Sequence, residues 1–338
     1  MFNYYEIEIS GKYVKNLFSD IIKNKIDKRN YTTMFLIIVN QIVKMLLLLL
    51  LGIFCYRKKL IDQTGSKMLA NLLLMIVNPM LAVLSLQVDY SPQLVHGLLL
   101  SYLAAFLTHI VGCILSTALI RTKGNPDCGI DRFSAMYSNC GFIGIPLVQS
   151  ILGGEGVLYL TAYMTVFNIF SWTHGMMVMT GNFSPKELLK GLLSPMILSS
   201  LLGLLLFFAE IRIPALLADS MNYVASMNTP LAMMIAGISV AQTDLFGMLK
   251  NKKMYLISLV KLLVLPAIVL IGLAVAHLPS TVACTILVAA ACPVAATGTA
   301  FALRFQKNYR YASELYAFTT IASLVTIPLL MFVAERIL

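Results

Sequence analysis

The sequence predicts an all-α polytopic membrane protein of ten transmembrane helices, arranged as two inverted five-helix repeats with broken, crossing helices 4 and 9. Three observations lead to this fold class. Of the 338 residues, 59% are hydrophobic and only 12% are charged. Several apolar runs exceed the roughly 18 residues that cross a bilayer. Landmark residues of the first half recur in the second half at a nearly constant offset.

Ten apolar segments lie between short junctions that carry glycine, proline, asparagine, aspartate or charge, as turns between packed helices do. We expect helices near residues 33–56, 66–87, 93–120, 132–152, 156–180, 188–209, 214–243, 254–277, 280–303 and 310–335. The chain then divides into an N-terminal extension (1–32), a first repeat (33–180), a short cytoplasmic linker (181–187) and a second repeat (188–338).

The basic residues of the junctions predict which way the helices face. Junctions after odd-numbered helices hold fifteen lysines and arginines, namely Arg57, Lys58, Lys59, Lys67, Arg121, Lys123, Arg132, Lys186, Lys190, Lys250, Lys252, Lys253, Arg304, Lys307 and Arg310. Junctions after even-numbered helices hold only Arg212. Basic loops stay in the cytoplasm, so we expect a cell-membrane protein with both termini outside. Membrane topology also explains the net charge of +10, and no nucleic-acid partner is expected.

The first 32 residues weigh against that orientation, because they carry six basic and four acidic residues and are awkward to translocate. They lack the pattern of a secretory signal peptide. Two interpretations stay open: the segment is an extension lying on the membrane surface, or the native chain starts at Met34.

The two halves share landmarks at similar spacing. Three pairs stand 151, 147 and 152 residues apart: Pro79 and Pro230, Pro146 and Pro293, and His109 and Lys261. An odd number of helices in each half makes the second copy run oppositely through the bilayer. That geometry is an inverted repeat, which suits alternating access around a site at the membrane midplane.

Pro146 and Pro293 interrupt apolar segments that are otherwise long enough to span the membrane. Proline removes a backbone donor and clashes with the preceding turn. In lipid, the freed carbonyl must find a partner or line a cavity. Interrupted helices at matching places in two halves indicate the binding site of a transporter.

The run 138–147, Ser-Asn-Cys-Gly-Phe-Ile-Gly-Ile-Pro-Leu, resembles the fourth-helix motif of the auxin efflux carrier family. Matching elements occur at Asn78-Pro79, at 228–232 and at 291–293. The resemblance covers about residues 33–338 and implies the fold of bile-acid and sodium/proton transporters. Helices 1, 2, 6 and 7 would form a scaffold. The resemblance also implies a homodimer, whose interface these scaffold helices would form. Helices 3–5 and 8–10 would form a mobile transport domain.

Two departures from the family pattern stand out. The long hydrophilic loop of the plant members is absent between the halves, which favours a compact prokaryotic-type permease. Gly298, between Thr297 and Thr299, stands where a further proline is common.

Two crossed, broken helices present two helix N-termini near the membrane centre, and such ends favour anions. The substrate-binding candidates at the breaks are Asn139, Gly144, Pro146, Pro293, Thr297 and Thr299. The alternative is that their polar groups only satisfy the backbone of the crossing.

Charged and polar residues within other helices add candidates. Lys261 would contact a carboxylate, replace a sodium ion as a fixed cation, or tether the crossing. Lys44 would face the cavity or extend to the membrane interface. His109 would carry a proton or form a hydrogen bond between helices. Asn78 and Asn228 would contact a ligand or repair the backbone beside a proline.

The sequence lacks the motifs of ATP hydrolysis, zinc proteolysis and intramembrane hydrolysis, so no enzyme, cofactor or metal is expected. Six cysteines without C-x-x-C spacing are interpreted as small buried residues. We therefore expect a secondary transporter that moves a small organic anion, a carboxylate or auxin-like weak acid, by alternating access. We expect membrane lipid to surround the protein. A sodium-coupled symporter of the bile-acid type and a non-transporting receptor are the alternatives.

Overall fold

The computed structural model describes residues 36–121, 124–182, 184–243 and 245–338. Within these ranges the chain forms helices joined by short turns. They are α1 (Leu36–Arg57), α2 (Gln63–Ser85), α3 (Pro92–Leu119), α4 (Cys128–Met136), α5 (Cys140–Thr180), α6 (Pro185–Leu192), α7 (Pro195–Phe208), α8 (Ala215–Ala241), α9 (Leu245–Lys250), α10 (Lys252–Ala276), α11 (Ser280–Ala291), α12 (Ala296–Arg304) and α13 (Tyr309–Ala334).

Seven helices of the described ranges, α1, α2, α3, α5, α8, α10 and α13, are long and apolar enough to cross a membrane. Helices α7 and α11 are apolar but shorter. The predicted class, an all-helical multi-pass membrane protein, is therefore confirmed. The expected N-terminal extension (1–32) lies outside the described residues. The division into ten crossings stays a prediction.

Helix α5 is too long for one crossing, since its 41 residues would extend about 62 Å, twice the thickness of a bilayer core. Gly153 divides it. This residue has φ 64° and ψ −152°, whereas the residues on both sides are helical. Only glycine adopts that backbone conformation readily. The chain can therefore reverse at Gly153, between the predicted helices 4 and 5.

The break at Gly153 gives a testable stability difference. We expect Gly153→Ala to destabilise the protein by about 1–3 kcal/mol, because a side chain strains this conformation. The adjacent Gly154→Ala is the matched control, since a methyl group there meets no atom within 4 Å and φ is not positive. Thermal unfolding in detergent measures both. Equal melting temperatures would contradict a required glycine conformation at 153.

Three helices widen into a π-helical turn just before a proline. The turns are Leu73–Val77 before Pro79, Cys140–Gly144 before Pro146, and Val260–Val264 before Pro266. A proline lacks the N–H that would continue the regular ladder, and a wider turn relieves its clash with the preceding carbonyl. Proline thus perturbs these helices without ending them.

The prediction that Pro146 marks the break in its helix is wrong in position. The helical conformation stops after Met136 and resumes at Cys140, while Pro146 lies inside α5. Tyr137 is extended, with φ −84° and ψ 126°. In the second half, Pro293 does lie within the interruption between α11 and α12. The two prolines therefore occupy different places relative to the breaks.

Helix α11 runs through the centre of the molecule. Every residue from Val282 to Ala291 is buried, and the helix contacts α3, α5, α10 and α13. Most of these residues are alanine, valine or other small side chains, which let neighbouring helices approach closely. The interruption that follows α11 is therefore held deep inside the protein.

Candidate functional site

The two interrupted helices meet and pair through their backbones. The N–H of Asn139 donates to the carbonyl of Pro293 at 2.8 Å, and the N–H of Ala295 donates to the carbonyl of Tyr137 at 3.0 Å. Ser138 and Val294 thus form an isolated antiparallel bridge. Each break satisfies polar groups freed by the other, which is how non-helical backbone is tolerated at membrane depth.

Two helices begin beside this crossing, α5 at Cys140 and α12 at Ala296. Both starts line one cavity of about 460 Å³. The first N–H groups of a helix have no partner within the helix, and its dipole makes that end partly positive. The cavity therefore receives positive potential from two helix N-termini at once.

The cavity extends from the crossing to one end of the molecule. At its inner end lie buried residues such as Asn139, whereas Gln63, Lys67 and Arg304 at the other end are exposed. Lys67 and Arg304 are the charged side chains among the described residues that line it. No described aspartate or glutamate does so. The electrostatic balance of the cavity favours an anion.

Several polar groups on the cavity wall are buried without a hydrogen-bond partner among the described residues. They are Asn139 Nδ2, Thr297 Oγ1, Thr299 Oγ1, Ser313 Oγ and Tyr316 Oη. A buried polar group without a partner costs free energy, so such groups are usually explained by water or a ligand. All five can donate a hydrogen bond. They match the acceptor oxygens of a carboxylate.

The rest of the wall is largely apolar. Apolar side chains from helices α2, α5, α7 and α8 form it: Leu74, Phe142, Met164, Phe167, Met196 and Ile235. A few polar groups placed within an apolar lining are typical of small-molecule sites, where the polar groups fix orientation. Of the residues predicted from the sequence, Asn139, Thr297, Thr299 and Asn78 line the cavity.

Lys261 does not line the cavity but lies directly behind its wall. Its Nζ donates to Ser138 Oγ and to the carbonyl of Ala290, both at 2.7 Å, and the residue is 0% exposed. Ser138 belongs to the wall. This is the arrangement expected of a lysine that tethers the crossing, one of the three roles considered for it.

His109 is also buried away from the cavity. Its Nδ1 lies 2.8 Å from the carbonyl of Ala105, and its Nε2 has no partner among the described residues. The rings of Tyr163 and Phe170 lie 5.1 Å from the imidazole, centre to centre. Its surroundings are aromatic, as expected for a histidine packed between helices.

Asn78 and Asn228, matched in the two halves, meet each other. Asn228 Nδ2 donates to Asn78 Oδ1 at 2.7 Å, and both residues are buried. The pair joins α2 to α8, each beside its proline. Only Asn78 reaches the cavity.

The other predicted residues do not reach the cavity. Lys44 lies on an exposed face of α1, consistent with extension toward the membrane interface. Gly144 and Pro146 are buried within α5, and Pro293 is buried in the crossing. A methyl group at Gly144 would reach Cys292 Sγ at 3.4 Å, an ordinary packing contact.

The family model described as membrane transport protein matches residues 37–183 and 177–331. Together the two matches cover most of the chain. The chain belongs to the auxin efflux carrier family of membrane transport proteins. The resemblance of the 138–147 motif to this family is thus confirmed, and the protein is a transporter and not an enzyme.

A distant relative supports the same conclusion. An uncharacterized transporter of Methanocaldococcus jannaschii is 25% identical over 224 residues, which cover 62% of this chain and 71% of the relative. Transport is thus the activity of this auxin efflux carrier family member.

Sequence reasoning missed the two cations of the cavity and two hydroxyl groups on its wall, those of Ser313 and Tyr316. Lys67 and Arg304 had been counted only as basic junction residues. Helical spacing offered one indication for Lys67, because it lies 11 residues, about three turns, before Asn78 on α2. Arg304 is the last residue of α12, the helix that begins after the break at 292–295.

Proposed function

We propose that this protein is a secondary transporter that moves a small organic anion through the cavity by alternating access. The observation that carries the proposal is the make-up of the cavity wall. Two helix N-termini, two cations and five buried donors without partners among the described residues line it, with no described carboxylate. A carboxylate group would accept hydrogen bonds from Asn139, Thr297 and Thr299. The apolar lining would hold the remainder of the substrate.

An inverted repeat of ten crossings fits the helices that the structure describes. Ten crossings result when α4 is joined to the part of α5 before Gly153, the rest of α5 counts as the next crossing, α6 is joined to α7, and α11 is joined to α12. The six-residue helix α9 is then too short to count as a crossing. The two breaks then fall in the fourth and ninth crossings, as the landmark offsets predict. In this arrangement the site lies between a scaffold and a mobile transport domain.

The charge of the junctions suggests which side the cavity faces. Its exposed end is lined by Gln63, Lys67, Gln242, Arg304 and Tyr309. These residues lie at or beside the junctions that follow helices 1, 7 and 9 of the ten predicted from the sequence. Those junctions are basic and, by the positive-inside rule, cytoplasmic. We infer that both termini face outward in the cell membrane and that the cavity is open to the cytoplasm.

Thermal unfolding of the purified protein with acetate, malate or indole-3-acetate tests anion binding, with chloride as the reference salt. A ligand present at about 100 times its Kd raises the free energy of unfolding by about 2.7 kcal/mol. We expect at least one carboxylate to raise the melting temperature by several degrees. Stabilisation by none of the three would contradict the proposal.

Replacing the two threonines on the wall assigns the binding to this cavity. The double variant Thr297→Val, Thr299→Val removes two donors at nearly constant volume, and we expect it to lose most of the carboxylate response. Thr285→Val is the matched control, because the buried Thr285 bonds within its own helix and does not line the cavity. An unchanged response of the double variant would place the binding site elsewhere.

A further inference from the structure

Lys261 is an amine buried without a counter-ion. It lies in the π-helical turn of α10 and is 0% exposed. Its two hydrogen bonds go to a hydroxyl and a carbonyl, and no carboxylate among the described residues forms an ion pair with it. A buried charge without an opposite charge is strongly disfavoured, so a nearby negative charge would change how readily this amine holds a proton.

Ser138 connects this amine to the cavity. Its hydroxyl accepts from Lys261 at 2.7 Å and lies 3.2 Å from the carbonyl of Ala290. The next residue, Asn139, carries the unpartnered amide that faces the cavity. A carboxylate bound at Asn139 would thus stand one residue away from the hydroxyl that touches the amine.

Among the residues that the structure describes, the titratable groups around Lys261 supply no competing negative charge. Those that face it or its hydroxyl partner are His109 on α3, Cys140 and Tyr163 on α5, and Cys292 after α11. On α4, the carboxylate of Asp131 is held by Asn125 and Tyr311, each at 2.7 Å. None of these groups pairs with the amine. A substrate carboxylate is therefore the anion that is able to act on it.

We propose that Lys261 is the proton-coupling site of transport. Its amine takes up one proton from water as a carboxylate binds in the cavity, and the ammonium gives that proton back to water when the carboxylate leaves. Anion and proton then cross together, and the loaded site gains no net charge. This inference rests on the proposed anion site, since the carboxylate supplies the charge that stabilises the ammonium.

Proton uptake on binding tests the coupling directly. Purified protein in weakly buffered detergent solution receives acetate, malate or indole-3-acetate adjusted to the same pH, and an indicator dye records protons taken up per anion bound. We expect about one proton per anion, and an affinity that falls up to tenfold for each unit of rising pH. Anion binding without proton uptake would overturn the coupling and leave the anion site standing.

Variants assign the proton to its residue. Lys261→Met should bind the anion without proton uptake, whereas Lys44→Met, which alters an exposed lysine, should behave as the wild type. Uptake that persists in Lys261→Met but disappears in His109→Gln would overturn the assignment in favour of the histidine. Should Lys261→Met not fold, the wild-type proton count still decides the coupling. Binding of none of the three anions would contradict the proposed function, and the inference with it.

Discussion

Asn139→Asp is expected to weaken carboxylate binding by at least about 100-fold, or about 2.7 kcal/mol. The change keeps the shape of the side chain. It removes the Nδ2 donor that has no partner among the described residues, and it places a negative charge on the cavity wall. Two like charges about 4 Å apart repel by about 4 kcal/mol near a protein surface. Binding isotherms or thermal shifts with the responsive carboxylate measure the loss.

The control for this charge reversal is Asn222→Asp, which makes the same chemical change on an exposed position of α8 away from the cavity. It should leave binding unchanged. Undiminished affinity in Asn139→Asp would show that the anion does not bind beside the crossing, and equal losses in both variants would indicate a general effect of added charge.

Gly237→Ala is expected to destabilise the protein by about 3 kcal/mol or more, at the upper end of overpacking effects. A methyl group there would lie 2.9 Å from the carbonyl carbon of Leu49 and 3.1 Å from the N of Ile53. At Gly52 on the facing helix, it would lie 2.8 Å from the Cα of Met234. Backbone meets backbone between α1 and α8, so no side chain can move to make room.

Thermal unfolding measures this effect, and a drop in melting temperature of roughly 6–12 °C corresponds to about 3 kcal/mol. Gly272→Ala is the matched control, because a methyl group on that glycine of α10 meets no atom within 4 Å. It should leave the melting temperature unchanged or slightly raised. A Gly237→Ala variant as stable as the control would contradict the close approach of α1 and α8.

Hydropathy and junction residues predicted the helices well because lipid demands long apolar segments with polar ends. The predicted segments 93–120 and 310–335 differ by one residue at each end from Pro92–Leu119 and Tyr309–Ala334. The position of the first break could not be predicted in this way. Proline was interpreted as the breaker, whereas a π-helical turn accommodates Pro146 and the non-helical Tyr137–Asn139 segment forms the break.

The candidate site was predicted in part. Asn139, Thr297 and Thr299 were found because they flank the motifs of the two breaks, and they line the cavity. The position of Lys261 behind the wall was beyond sequence reasoning, since depth along a helix does not tell which neighbour a side chain meets. The crossing decides that contact, and it brings together Ser138 and Ala290, 152 residues apart.

Flux through the protein tests the central claim most directly. Proteoliposomes loaded with unlabelled carboxylate, chosen from acetate, malate and indole-3-acetate by the thermal screen, are placed in a trace of the labelled compound. The cavity predicts saturable accumulation of label in wild-type vesicles and none above empty vesicles with Asn139→Asp. Saturable binding without accumulation in the wild type, or equal accumulation in the variant, would contradict transport of an organic anion through this site.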